Sequence, residues 1–314
     1  MRARSLGKAG PRVSELALGT WGLSGDGYGP VPEAEQEAVL RRALEMGFTL
    51  IDTADAYADG HMEELIGRAI AGRDDVVVVT KGGTDRAASP ARKRFDPAFL
   101  RNSVEGSLAR LGRERIEVYL LHNPSESALT NSGAVDTAIE LKKEGKIGQW
   151  GVSVGDVATG RAALQAGADV IEIAYNLFHS TDLHRLAGEV IVAGAGVLAR
   201  STLAYGLLSG TFRDDRVFPP EDHRAERWTK PELQRRIAQL GAIHFLVNAD
   251  VRSLTAAAIR FVLANSLVSA AVLGPRSVAQ LEKTVREVGM GPVYIREADL
   301  SRLPRALESA GVES

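Results

Sequence analysis

The chain has no cysteine among its 314 residues, which excludes disulfides and thiol catalysis. It also lacks any Lys/Arg block. With 38 basic residues against 40 acidic ones the net charge is −2, and no nucleic-acid partner is expected. No apolar run approaches the about 18 residues needed to cross a bilayer, and the first residues carry arginines without the apolar stretch of a secretion signal. No membrane partner is expected, and a soluble, cytoplasmic protein is the default. No low-complexity tract is evident. A hydrophobic content of 45% is ample for a buried core, and the chain is read as one domain over residues 1–314.

Against these absences stands one dense stretch, residues 49–57 (TLIDTADAY). Residues 49–53 read as a buried strand, being short, β-branched and preceded by the amphipathic stretch 33–47. Asp52 lies near the end of that strand and Tyr57 in the loop beyond. The next apolar run, 76–80, ends on Lys81, and the one after it, 116–121, ends on His122. If these strands are parallel neighbours, as strand–helix–strand units require, the four groups converge at one edge of the sheet.

Asp, Tyr, Lys and His together suit proton transfer to an oxygen that is gaining charge. A tyrosine of pKa about 10 is a poor acid at neutral pH unless a cation stabilises its phenolate. Lys81 can be that cation, Asp52 can hold the ammonium and keep it charged, and His122 can donate to the same substrate oxygen. Taken singly, each has an ordinary explanation: a carboxylate capping a turn, a packing tyrosine, a snorkelling lysine, a core histidine. Their recurrence at the ends of consecutive strands is what favours a site. The remaining histidines, His61, His179, His184, His223 and His244, form no metal-ligand spacing, and no metal is expected.

With those residues in view, the sequence resembles the aldo-keto reductases. The likeness runs in order through residues 4–16, Gly19-Thr20-Trp21, 52–57, 60–69 (GHMEELIGRA), 78–82 (VVTKG), 119–124 (YLLHNP), 148–153 and 274–282 (GPRSVAQLE). The resemblance implies an α/β (β/α)8 TIM barrel, NADP(H) as cofactor, and Asp52, Tyr57, Lys81 and His122 as a catalytic tetrad. It also implies cofactor contacts from Gly19, Thr20 and Trp21. The alternation of segments agrees with a barrel: strands are expected at 16–19, 49–53, 76–80, 116–121, 147–153, 170–175, 196–202 and 269–274, with helices such as 98–111, 135–144, 157–166 and 254–264 between them. A doubly wound sheet is disfavoured because no glycine-rich fingerprint follows the first strand.

A β-hairpin is read over residues 2–16, around a turn at 8–11, and in the family such a hairpin closes the bottom of the barrel. The glycine-rich segment 22–29 lacks the pattern of a phosphate cradle and is read as a mobile substrate loop. More than sixty residues separate Thr202 from Ser269, so a long loop insertion is expected after strand 7. In it Phe212, Phe218 and Trp228 either line a substrate pocket or anchor the loop.

Around the expected cofactor the chain departs from the family pattern. Ser153 matches a serine that contacts the nicotinamide carboxamide, but Val154 replaces the usual following asparagine. Glu172 replaces a glutamine of the same contact, and Arg200 replaces a stacking tyrosine. A carboxylate and a guanidinium on neighbouring strands are expected to pair, Glu172 with Arg200. Gly274, Arg276, Ser277 and Gln280 resemble the phosphate-binding motif, with Thr284 where the family has asparagine. A helix over 277–288 would direct its positive end at that phosphate.

The resemblance thus implies reduction of a small-molecule aldehyde or ketone, or the reverse reaction on a sugar or alcohol. Residues 119–124 and 199–206 resemble bacterial branches and sugar 1-dehydrogenase-like members. An alternative within the same fold is a cofactor-binding regulatory subunit like the potassium-channel β subunits. Another is a barrel enzyme of other chemistry that has converged on these residues.

Overall fold

The first elements of the computed structural model, which describes residues 1–289 and 294–312, form an antiparallel hairpin of β1 (Ala3–Ser5) and β2 (Arg12–Ser14). Eight parallel strands then close a barrel: β3 (Leu16–Gly19), β4 (Leu50–Asp52), β5 (Val77–Gly82), β8 (Ile116–His122), β9 (Ile147–Ser153), β10 (Val170–Ala174), β11 (Gly196–Arg200) and β12 (Ala270–Leu273). β12 returns to pair with β3. Between β5 and β8 a small outer hairpin is made by β6 (Thr84–Asp85) and β7 (Arg92–Lys93). The expected (β/α)8 barrel with an N-terminal hairpin is therefore the fold.

Strands covered on both faces need apolar residues throughout, and every residue of β3, β4, β5 and β12 is buried. Alternation of side chains divides this apolar content in two. One set faces outward against the helices. The other, comprising Ala17, Leu50, Val77, Val79, Val118, Leu120, Val170, Leu198, Ala270 and Val272, fills the barrel together with Leu6 and Val13 of the hairpin. Those two residues are fully buried, so the hairpin plugs the lower end, as expected.

The helices start where side-chain acceptors satisfy their first N–H groups. Asp96 caps Pro97–Leu111, Asp156 caps Val157–Gln165, Ser253 caps Leu254–Ala264 and Ser277 caps Val278–Val288. Gly67 lets helix His61–Ala69 lie close against Pro97–Leu111, since a Cβ there would fall 2.7 Å from the Arg110 carbonyl oxygen. No helix among the described residues is long and apolar enough to cross a membrane.

The insertion after β11 is only partly the loop that the sequence led us to expect. Its second half forms a helix, Lys230–Gln239, started by a Thr229–Glu232 capping box, followed by a 3-10 segment, Leu240–Leu246. Gln239 Nε2 ties this unit to the C-terminal helix through the Ala310 and Gly311 carbonyls, at 3.1 and 3.0 Å. The first half packs on itself. Phe212 meets Phe218 at 5.5 Å between ring centroids, Phe218 meets Trp228 at 6.3 Å, and the Arg224 guanidinium lies 4.6 Å from the Phe218 ring. Of the two roles left open for these aromatics, anchoring is the one that matches the packing.

The same half also ties down the glycine-rich loop. Tyr28 forms an isolated β-bridge with Asp222, His223 N–H donates to the Gly27 carbonyl at 2.9 Å, and Arg224 lies 4.7 Å from the Tyr28 ring. Residues 22–29, expected to be a mobile loop, are instead held by backbone and cation–π contacts across to the insertion.

Candidate active site

The interior set of apolar residues defines where the polar ones must point. Moving two residues along a strand keeps a side chain on the same face. Beyond Ala17, Leu50, Val79 and Leu120 this step reaches Gly19, Asp52, Lys81 and His122. Beyond Val170, Leu198 and Val272 it reaches Glu172, Arg200 and Gly274. On β9 the step from Gly151 reaches Ser153, which is in register with both His122 and Glu172. Each barrel strand thus contributes one residue to a tier at the C-terminal end, where the apolar filling stops. All eight residues were expected from the sequence to belong to the site.

At the centre of this tier is Lys81, 1% exposed. Its Nζ donates to Asp52 Oδ1 at 2.5 Å and to the Thr53 carbonyl at 3.0 Å. Burial alone would lower its pKa; the Asp52 and Glu172 carboxylates outweigh burial and raise it, so the lysine is charged. Tyr57 opens the turn after β4 and is partly buried, with its ring centroid 5.5 Å from Lys81 Nζ. Burial raises the phenol pKa, and the lowering effect of Lys81 is opposed by Asp52 and Glu172. The Tyr57 and His122 rings meet edge to face at 6.0 Å. Burial and the nearby Lys93, Lys81 and Arg200 hold His122 well below the usual histidine range, so it is a neutral imidazole. The four residues expected to converge do so.

Glu172 does not pair with Arg200 as expected. Its Oε2 lies 3.6 Å from Lys81 Nζ, and the side chain is 2% exposed. Register does not forbid the pair, since Arg200 stands at the same two-residue offset from Glu172 as Lys81 does from Asp52. Arg200 Nη2 instead donates to the Val154 carbonyl at 3.0 Å. Ser153 donates to Asn123 Oδ1 at 3.3 Å. Asn123, in the left-handed region at φ 51°, was not singled out from the sequence, although an Asn directly after the strand-ending histidine was the available signal.

The residues expected to contact cofactor at the rim are already engaged. Thr20 donates to the Asp52 carbonyl through both N–H and Oγ1. Trp21 packs on Tyr28 and His223, at 5.1 and 4.9 Å. The Arg276 guanidinium donates to the Gly22, Gly29 and Pro30 carbonyls, and its backbone N–H to Gln280 Oε1. Ser277 accepts from Gln280 N–H, and Glu35 accepts from Val278 N–H.

Sequence reasoning also missed a polar layer behind the tier. Asp55, two residues before Tyr57, accepts from Ser103 Oγ at 2.6 Å, and Ser103 Oγ lies 2.9 Å from Tyr119 Oη. Burial pushes the Asp55 carboxyl up to about 6. Fully buried Glu63 accepts from Thr80 Oγ1 at 2.5 Å and from Arg110 Nε at 2.7 Å.

Three buried polar atoms of the tier have no hydrogen-bond partner: His122 Nδ1, Glu172 Oε2 and Arg200 Nε. A side chain at Gly274 would meet nothing within 4 Å, so there is open space above β12. Unsatisfied donors and acceptors beside open space suit a polar, planar ligand such as a nicotinamide. No cluster of metal-ligating side chains is present among the described residues.

The aldo/keto reductase family model matches residues 15–291. The chain is similar to the aldo-keto reductase YhdN of Bacillus subtilis, at 30% identity over 296 residues, covering 90% of this chain and 87% of that one. It is 31% identical over 261 residues to the NADH-specific methylglyoxal reductase of Escherichia coli, covering 76% of this chain and 78% of the other. The solved glycerol dehydrogenase of Gluconobacter oxydans superposes with a TM-score of 0.86 at 27% identity, over 99% of this chain and 97% of that one. A family match across most of the chain, on a barrel whose upper tier gathers these side chains, makes this protein a member of the aldo/keto reductases, oxidoreductases that use a nicotinamide cofactor.

Proposed function

We propose that the protein interconverts a small aldehyde or ketone with the corresponding alcohol, using NADP(H), and that Tyr57 is the proton donor. The observation that carries this reading is a buried, charged Lys81 held by Asp52 beside the Tyr57 ring. A bound nicotinamide would supply or accept the hydride; the protein supplies orientation and the proton. In reduction Tyr57 gives its phenolic proton to the substrate oxygen, and the Lys81 ammonium stabilises the phenolate left behind. Asp52 keeps that ammonium in place. His122, held neutral, can donate one ring N–H to the same oxygen without competing for the proton.

For the cofactor, Ser153, Arg200 and Gly274 would face the nicotinamide end, and Gly19, Thr20 and Trp21 would form the rim. Arg276, Ser277 and Gln280 would hold the phosphates. The preference for NADP(H) rests on Arg276, whose planar fork matches a phosphate. The methylglyoxal reductase and the glycerol dehydrogenase are named for small oxygenated substrates, which supports a compact carbonyl or sugar-like alcohol here. The test is the change in nicotinamide absorbance over a panel of small aldehydes, ketones and sugars with each of NADPH and NADH. No turnover with either cofactor across the panel in both directions would sink the reading.

A further inference from the structure

Lys81 has three ammonium protons, and the protein fixes two of them, on Asp52 and on the Thr53 carbonyl. The third is left for the open side of the barrel. Two groups stand there: Tyr57, and Glu172, whose Oε2 is 3.6 Å away. That carboxylate oxygen is buried and has no hydrogen-bond partner, so Lys81 is its nearest compensation. Around Tyr57 the ionisable groups are Lys81 from β5, Asp52 from β4, Glu172 from β10, Arg200 from β11 and His122 from β8. His122 is neutral, and the partly exposed Arg200 reaches towards Val154.

One carboxylate would balance the ammonium. Two carboxylates against one ammonium leave an excess of negative charge beside Tyr57, which Arg200 offsets only in part, its effect on the phenol being smaller than that of Glu172. A surplus negative charge disfavours a phenolate nearby.

We propose that Glu172 is a positioning residue that competes with Tyr57 for the third ammonium proton of Lys81 and thereby holds Tyr57 as the neutral phenol. The idea rests on Tyr57 being the proton donor. In reduction the Tyr57 O–H bond breaks, its proton goes to the substrate oxygen, and its electron pair stays on the phenolate. Lys81 then turns its third proton from Glu172 to that phenolate, and solvent reprotonates the tyrosine after product leaves. In oxidation the phenolate must exist first, so Glu172 delays that direction to higher pH. It cannot alter the overall equilibrium constant; it sets the pH at which each direction runs.

The experiment compares wild type with Glu172→Gln, a near-isosteric change that removes the charge. The alkaline fall of kcat for reduction and the rise of kcat for oxidation should both move down by about one pH unit, the size of a close charge effect. A readout without turnover is the ultraviolet tyrosinate titration of cofactor-free protein: one tyrosine should ionise at lower pH in Glu172→Gln, and adding Tyr57→Phe should remove it. Limbs that stay in place, or an equal loss of rate at every pH, would overturn the proposal and leave Glu172 with a structural role. Should the Gln variant fail to fold, Glu172→Asp, which keeps the charge but withdraws it from Lys81, should show the same shift reduced in size, and no shift there overturns the proposal equally. Turnover that survives Tyr57→Phe would instead refute the assignment of Tyr57, an outcome distinct from any pH shift.

Discussion

The Arg276 guanidinium donates to the Gly29 carbonyl at 2.8 Å, so the residue that introduces the last barrel helix also fastens the loop after the first strand. Further bonds to Gly22 and Pro30, at 3.2 Å each, complete the fastening. A phosphate that takes this guanidinium must draw N–H groups away from those carbonyls. The gain from a charged hydrogen bond is then partly offset. Arg276→Ala should weaken NADPH by on the order of 1 to 2 kcal/mol and NADH by less. Fluorescence titration with each cofactor gives the two dissociation constants. Equal losses would mean that Arg276 acts only through the loop.

Tyr57→Phe removes the phenolic proton and little volume. Cofactor dissociation constants should stay within about twofold, while turnover falls by about 10² to 10⁴, the usual cost of losing a general acid. Steady-state rates beside binding titrations check both halves. A rate within about threefold of wild type, far short of the general-acid contribution, would take Tyr57 out of the proposed mechanism.

Asp55 predicts a pH-dependent stability. Its carboxyl is raised in the folded protein, from 3.8 to about 6, so the folded state holds that proton more tightly than the unfolded chain does. The resulting stabilisation is complete below the unfolded value and is lost as pH rises through about 6. Asp55→Asn keeps an acceptor for Ser103 and removes the titration. Relative to wild type, the variant should therefore gain on the order of 2 kcal/mol between mildly acidic and mildly alkaline solution. Denaturant unfolding at the two pH values measures this difference. Any fixed cost of placing the new amide N–H beside the unpartnered Oδ1 position cancels between them. An advantage that does not grow with pH would contradict the assignment.

Asp52, Lys81 and His122 were legible in the sequence because each ends an apolar run or directly follows one, whereas Gly19, Ser153, Glu172, Arg200 and Gly274 were legible only through the resemblance to the family, Glu172 lying in the middle of its strand. Lys81 follows Val79 by two and His122 follows Leu120 by two, which is local information. The Lys81–Glu172 contact was not legible, since β5 and β10 are not neighbours and only closure of the barrel sets one against the other. The expectation that Glu172 would pair with Arg200 failed for a related reason: adjacency of two strands does not fix where their side chains turn, and here Arg200 goes to the Val154 carbonyl and Glu172 to Lys81. The helix Lys230–Gln239 was readable after all, since Thr229 followed by Glu232 is a capping pattern, but the surrounding charge and Pro231 read as loop. The Asp55–Ser103–Tyr119 layer joins a loop, a helix and a strand through side chains alone, and no spacing in the sequence encodes it.

The hairpin that carries Leu6 and Val13 into the lower end of the barrel makes the molecule a vessel with one mouth. Leu6 and Val13 finish from below what the barrel's own apolar filling begins, so the ground under Lys81 is dry and closed, and the open space lies above, over β12. The hairpin lies at the far end from the proposed chemistry, yet it seals the foundation on which that charged tier stands.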